Sequence, residues 1–362
     1  MPLALLGLGL GAAVTASSMT FVDRYAEAPG EASDVNSRLA FSAVPRYEAK
    51  GKILFVTVAG PRLTGLQAAI GWLDPDVSEQ THKQRYGDRT PDQDHQVNLR
   101  AMRTAKDDAP YVAMTRLGYP TERKEGPAVI QQMICLDASA DGLTCLKFFP
   151  ADSFLNPGDL FVSIDGSPID TIDALSAALK PHKPGDSVEV VVRRDAAPDG
   201  PTETGTVTLS SAGANESDRA IFGIQMADTT QVTLPFPVDI DTGQIGGPSA
   251  GLAFTLTVLD ELTPGELTGG KKVAVTGTID VDGNVGPIGG LHQKAVAVRS
   301  AGADIFIVPK SQSDVELAEA RRIFGAERVF PVDTVDDALA VLKSVGGNAA
   351  DLGTPGADYH AT

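Results

Sequence analysis

Apolar positions run without interruption through KILFVTVAG, Lys52 to Gly60, which predicts a buried strand. The next segment, LTGLQAAIGWL, spaces Leu63, Leu66, Ile70 and Leu73 three to four positions apart, which predicts a helix with one apolar face. Residues 23 to about 50 hold no sustained period and read as an irregular connector. Asp74 to Gln96 is polar and turn-rich, and reads as a surface excursion or lid. Between Gly126 and Ser210 the pattern shifts to short strands with one helix: a strand at Leu160–Ile164, a turn at Asp165-Gly166, a helix from about Thr171 and a strand at Val188–Arg193. SAGANESDRA, Ser211 to Ala220, is a linker by composition.

Beyond the linker, helical and strand periods alternate. A helix at Ser249–Leu262 is followed by a strand at Val273–Ile279, a helix from about Gly290 to Ala301 and a strand at Ile305–Val308. A helix from Ser313, a strand at Val329–Val332 and a helix from Thr334 complete the series. Ser313 with Glu316 and Thr334 with Asp337 have capping-box spacing, which fixes those two helix starts. The predicted organisation is a leading segment at 1–22, an N-terminal region at 23–125, a small domain at 126–210, a linker at 211–220, an α/β (α+β) domain at 221–346 and a disordered tail at 347–362.

Composition narrows the class. The 362 residues, 42% apolar and 21% charged, suit a folded body of more than one domain. A net charge of −17 with no basic run argues against a nucleic-acid partner, since such binding depends on Lys and Arg at phosphates. Residues 1–22 carry no charged side chain, a length that matches a bilayer core. Two readings stay open: a single-pass membrane anchor with the body extracytoplasmic, or a signal peptide whose removal leaves a secreted protein. Cys135 and Cys145 are the two cysteines, and in an exported chain they are candidates for a disulfide, with two separate thiols as the alternative. Neither has a neighbour that suggests zinc.

The chemistry centres on GGPSAG, Gly246 to Gly251. The stretch satisfies G-x-S-x-G, the pattern of a hydrolase nucleophile elbow, but VDIDTGQIGG before it reads as a polar loop rather than a strand. His292 and His360 are the histidines that follow, so a Ser-His-Asp triad would need His82, His95 or His182 to fold close. The alternative base is a lysine, which must be desolvated to be neutral. In GGLHQKAVAVRSAG, Leu291, Lys294, Ala295 and Val298 share one helical face, so Lys294 lies among apolar neighbours.

The ordered pair GPSAG and TGTIDVDGNVGPIGGLHQKAVAVRSAGADIFIVPK resembles the proteolytic domain of Lon proteases. That resemblance implies a catalytic dyad of Ser249 as nucleophile and Lys294 as general base, with Thr276 orienting the lysine. Gly247 allows close backbone approach, and the N–H groups of Ser249 and Ala250 would face the oxyanion. Residues 126–210 resemble a PDZ domain of the protease-associated kind, most specifically from Asn156 to Asp195. In QQMICLDASADGLTCLKFF, a hydrophilic interruption stands where that family has its carboxylate-binding loop, which puts peptide capture in question. GELTGGKK, Gly265 to Lys272, approaches a phosphate-binding loop but ends in Lys272, without the hydroxyl for Mg²⁺.

An anchor, a PDZ domain and a Lon-type domain in this order resemble the PDZ-containing Lon-like serine proteases of Gram-positive bacteria. The resemblance implies an ATP-independent endopeptidase without cofactor or metal, acting on unfolded protein or peptide segments. The PDZ domain would recruit or gate substrate, and Lon-type domains imply a homo-hexamer. The alternative function is a PDZ-based binding or quality-control scaffold with a latent protease domain.

Overall fold

The Lys52–Ala59 run lies inside a seven-stranded sheet, and its four consecutive buried residues, Ile53 to Val56, show that both faces are covered. The computed structural model describes residues 17–41, 46–47, 49–87, 89–138, 145–194, 200–212 and 219–348. The sheet order is Val329–Val332, Ile305–Pro309, Lys272–Val275, Lys52–Ala59, Phe21–Asp34, Arg62–Thr64, with Ser78–Gln80 added beside Phe21–Asp34. The first four strands are parallel and Phe21–Asp34 joins antiparallel. Helices Gly251–Leu262, Val335–Ser344 and Pro91–Arg116 cover one face, and Leu291–Ser300 and Asp314–Phe324 cover the other. Both predicted capping boxes are present, at Ser313 and at Thr334.

The N-terminal region is not a separate unit. Residues 23–50, expected as a connector, hold most of the 14-residue strand Phe21–Asp34, whose buried side chains are Tyr25 and Ala26. Its register slips between Pro29 and Ala32, a bulge that accommodates the proline and Gly30 and hides the strand from a period-two reading. The expected lid at 74–96 gives way at Pro91 to a 26-residue helix that continues through Pro110 and buries Met102, Ala109, Val112 and Ala113. The helix predicted in LTGLQAAIGWL is shorter, Gly65–Gly71, capped by Thr64, and buries none of its residues.

A second sheet orders Thr202–Thr208, Ser187–Arg193, Leu160–Ile164, Glu122–Met133 and Ile224–Thr233, with helix Ile172–Leu179 against it. Its core includes Phe161, Ile164, Leu175, Val190 and Phe222. The smaller sheet extends past the expected end at 210, because Ile224–Thr233 pairs along Glu122–Met133 from Ile224↔Met133 to Thr233↔Glu122. Chain entry and exit therefore lie side by side, and the smaller body is an insertion carried on a two-stranded stalk. The linker expected at 211–220 is partly a bridge, Ser210–Ser211 against Ala220–Ile221, and its residues 213–218 lie outside the described residues.

Cys135 and Cys145 are joined as a disulfide across the hairpin of Cys135–Ala138 and Cys145–Phe148. Most of the segment expected as an anchor or signal, residues 1–16, and the tail from 349 to 362 lie outside the described residues. Among the described residues no helix is long and apolar enough to cross a membrane.

Candidate active site

Ser249 closes the loop after Thr242 and sits two residues before helix Gly251–Leu262, whose N-cap is Ala250. Gly277 N–H and the Thr276 hydroxyl donate to the Ser249 carbonyl at 2.8 and 3.2 Å, which ties the loop to the end of strand Lys272–Val275. Gly247, at φ +93°, donates its N–H to the Asn98 carbonyl at 2.7 Å. That N–H is therefore spent on the long helix and does not face an oxyanion. Among the described residues, the N–H groups of Ser249 and Ala250 make no backbone hydrogen bond, and they stand at the free N-terminal end of the helix.

Helix Leu291–Ser300 presents Lys294 to this loop from its buried face, between Leu291, Ala295 and Val298. Lys294 is 3% exposed, and its Nζ lies 2.8 Å from Ser249 Oγ and 3.0 Å from Thr276 Oγ1. The Thr276 hydroxyl gives its proton to the Ser249 carbonyl, so toward Lys294 it acts as acceptor and fixes the amine's direction. Burial pushes the Lys294 ammonium down to about 7, against the Glu27 carboxylate, which favours the charged form. A lysine in this state can accept a proton from a serine hydroxyl near neutral pH.

The structure thus brings Ser249, Thr276 and Lys294 together, and His292, His182 and His82 make other contacts. His292 Nδ1 meets Glu319 at 3.0 Å, His182 faces Asp165 at 3.4 Å, and His82 packs between Tyr25 and Tyr86. His360 lies outside the described residues. Two site residues had no sequence signal. Glu27 comes from the irregular-looking first strand, and Asn98 from helix Pro91–Arg116, for which the sequence offered no period.

Gly265–Lys272 is a turn between helix and strand. A Cβ on Gly269 would lie 2.7 Å from the backbone of Gly346, so this turn packs closely against the chain after helix Val335–Ser344. Among the described residues no group of three or more His, Cys, Asp and Glu is placed to hold a metal.

The inserted body holds a cavity of about 420 Å³ between helix Ile172–Leu179 and strand Ile224–Thr233. Leu175, Leu179, Phe222, Ile224 and Met226 give it an apolar lining, and Lys180, His182 and Arg219 contribute positive or titratable groups. Arg219–Gly223 borders it on one side, and Ile134, next to Cys135, also lines it. Gly223 takes φ +75°, and the Phe149 ring occupies the space a Cβ would need. A second cavity of about 580 Å³ lies between the inserted sheet and helix Pro91–Arg116, and reaches Pro248 beside Ser249.

Residues 217–344 match the family model of the Lon protease (S16) C-terminal proteolytic domain, a stretch that includes Ser249, Thr276 and Lys294. The chain is 38% identical over 102 residues to a Lon protease of Azospirillum brasilense, covering 27% of this chain and 12% of that protein. It is 34% identical over 94 residues to a Lon protease of Campylobacter concisus, covering 26% and 11%. The chain therefore spans about an eighth or less of the length of these curated relatives. Among solved structures it is similar to the PDZ domain of the SdrC-like protein from Listeria monocytogenes, at 17% identity, a TM-score of 0.22, and coverage of 29% of this chain and 90% of that one. This chain carries a Lon-type proteolytic domain at 217–344, preceded by the smaller body that Glu122–Met133 and Ile224–Thr233 join to it.

Proposed function

We propose that the chain is an ATP-independent serine endopeptidase that cleaves unfolded or accessible protein segments outside the cytoplasm. One observation carries this reading: Lys294 Nζ, buried and held near neutrality, lies 2.8 Å from Ser249 Oγ. In the first step Ser249 Oγ attacks the scissile carbonyl while its proton passes to Lys294. The N–H groups of Ser249 and Ala250 receive the charge on the carbonyl oxygen, and Lys294 returns the proton to the departing amine. Water then attacks the acyl-enzyme, Lys294 takes its proton, and Ser249 is restored.

The apolar cavity at Arg219–Gly223 suits the end of a peptide chain, so the inserted PDZ-type body recruits substrate or governs its access. The Cys135–Cys145 disulfide fits an oxidising compartment, and the uncharged run at 1–22 fits a membrane tether, so the body stands outside the membrane. The family resemblance adds a homo-hexameric assembly to this reading. A PDZ scaffold with a latent protease gives no account of an amine buried against a serine hydroxyl.

The test is incubation of the full chain with an unfolded protein, with and without ATP, beside Ser249→Ala. Cleavage that needs no nucleotide and disappears in the variant supports the proposal. Cleavage retained by Ser249→Ala, or seen only with ATP, overturns it.

A further inference from the structure

We propose that the corner formed by Ile70, Trp72 and Leu73, beside Met19 and Phe21, docks the folded body onto a lipid bilayer; this rests on the membrane-tether reading above. These five are among the large apolar side chains left most open, with Trp72 81% and Leu73 72% exposed. Met19 and Phe21 stand at the start of helix Gly65–Gly71, since Phe21 pairs with Thr64, which caps it, and Gly65 donates its N–H to the Thr20 carbonyl at 3.0 Å, while Ile70, Trp72 and Leu73 stand at its end. The helix buries none of its residues, so its apolar positions stabilise no core. Trp72 and Leu73 continue its hydrogen bonding, to Ala68 and Ile70 at 3.0 Å each, which holds the pair in an ordered turn rather than a loose loop.

The occupant follows from where the preceding chain arrives. The 16 residues that precede the described fold carry no charged side chain, and the chain enters the fold at this corner through Ser17 to Phe21. A bilayer holding that segment reaches the body here. The side chains match an interface: an indole and aliphatic groups at acyl depth, with the Arg62 guanidinium 5.8 Å over the Phe21 ring at headgroup level. The same loop then runs to the active-site helix, where Asp76 meets His292 at 3.4 Å and the Gln293 amide donates to Ser78 at 3.3 Å. Docking therefore braces the segment packed beside Lys294.

Trp72 is the single tryptophan, so its emission reports this corner alone. The full chain is reconstituted into phosphatidylcholine vesicles carrying bromines either near the headgroup or at the chain ends. The expected result is a blue-shifted emission that the shallow bromines quench about twofold and the deep ones less, matching the interfacial depth of tryptophan. A Trp72→Phe chain carrying Ile70→Trp should show the same depth order. Unquenched emission from a chain that floats with the vesicles overturns docking and leaves the tether standing. A concentration-dependent blue shift without lipid quenching assigns the corner to a second copy and also overturns it. A chain that does not float overturns the tether and docking together.

Discussion

The Gly247 N–H donates to the carbonyl of Asn98 at 2.7 Å, so the loop that carries Ser249 is held by a helix outside the Lon-type match. Two residues along that helix, Arg100 donates to the Gly158 carbonyl of the inserted body at 2.6 Å. One rigid element thus touches both the catalytic loop and the insertion. Gly247 has φ +93°, a region costly for any residue with a Cβ, so its small size keeps the loop on this support. Gly247→Ala should lower kcat on a short fluorogenic peptide about tenfold, as about 1–3 kcal/mol of strain displaces the loop. Thermal unfolding checks that the fold survives; an unchanged kcat would mean that the loop does not depend on this geometry.

Lys294 sets the pH response. It must be neutral to accept the Ser249 proton, and burial places its transition at about 7, so kcat/KM should rise as pH climbs through 7 and level off above. The Glu27 carboxylate favours the protonated lysine, so Glu27→Gln should move this rise to lower pH. Glu27 also accepts from the Ser78 hydroxyl at 3.0 Å, so Ser78→Ala serves as the control for losing that bond alone. A profile unmoved by Glu27→Gln would show that the lysine does not sense this carboxylate.

Much of the Lon-type core was legible because its periods are regular and its caps are local. Strand Val329–Val332 and the helices after Ser313 and Thr334 stand where the sequence places them. Lys294 was legible for a related reason, since a lysine sharing a helical face with Leu291 and Val298 conflicts with ordinary burial preferences. The insertion was not, because nothing local reveals that Glu122–Met133 and Ile224–Thr233 pair across about a hundred residues. The first strand was hidden by charges on its open side and by the bulge at Pro29. Exposed apolar side chains at Ile70 and Leu73 mimicked a buried helical face, a pattern that periodicity cannot separate from a packed one.

The groove at Arg219–Gly223 makes a separable prediction. A labelled peptide with an apolar C-terminal residue and a free carboxylate should bind, and its amidated form should bind at least about tenfold more weakly. Met226→Glu adds a negative charge to the partly exposed lining and should weaken the acidic chain end by about the same factor, measured by fluorescence anisotropy. Cleavage of a short internal peptide should stay unchanged, because Met226 is remote in sequence and role from the dyad. Equal binding of the free and amidated peptides would remove the chain end as the recognised feature.

Asp260 offers a prediction about stability rather than catalysis. It lies on helix Gly251–Leu262, 2% exposed, and accepts the Leu267 N–H at 2.8 Å. Burial, helped by the charges of Glu266 and Glu261, pushes its carboxyl up to about 7 from 3.8. The folded state therefore holds a proton that the unfolded chain has released between these values. Stability should fall as pH rises across that window and change little more from this group above it. Asp260→Asn keeps an acceptor for Leu267 and removes the charge, so it should stabilise the fold by about 1–3 kcal/mol at pH 8 and hardly at all near pH 4. Denaturant midpoints at the two pH values measure this directly, and an equal effect at both would mean that the carboxyl titrates normally in the folded protein.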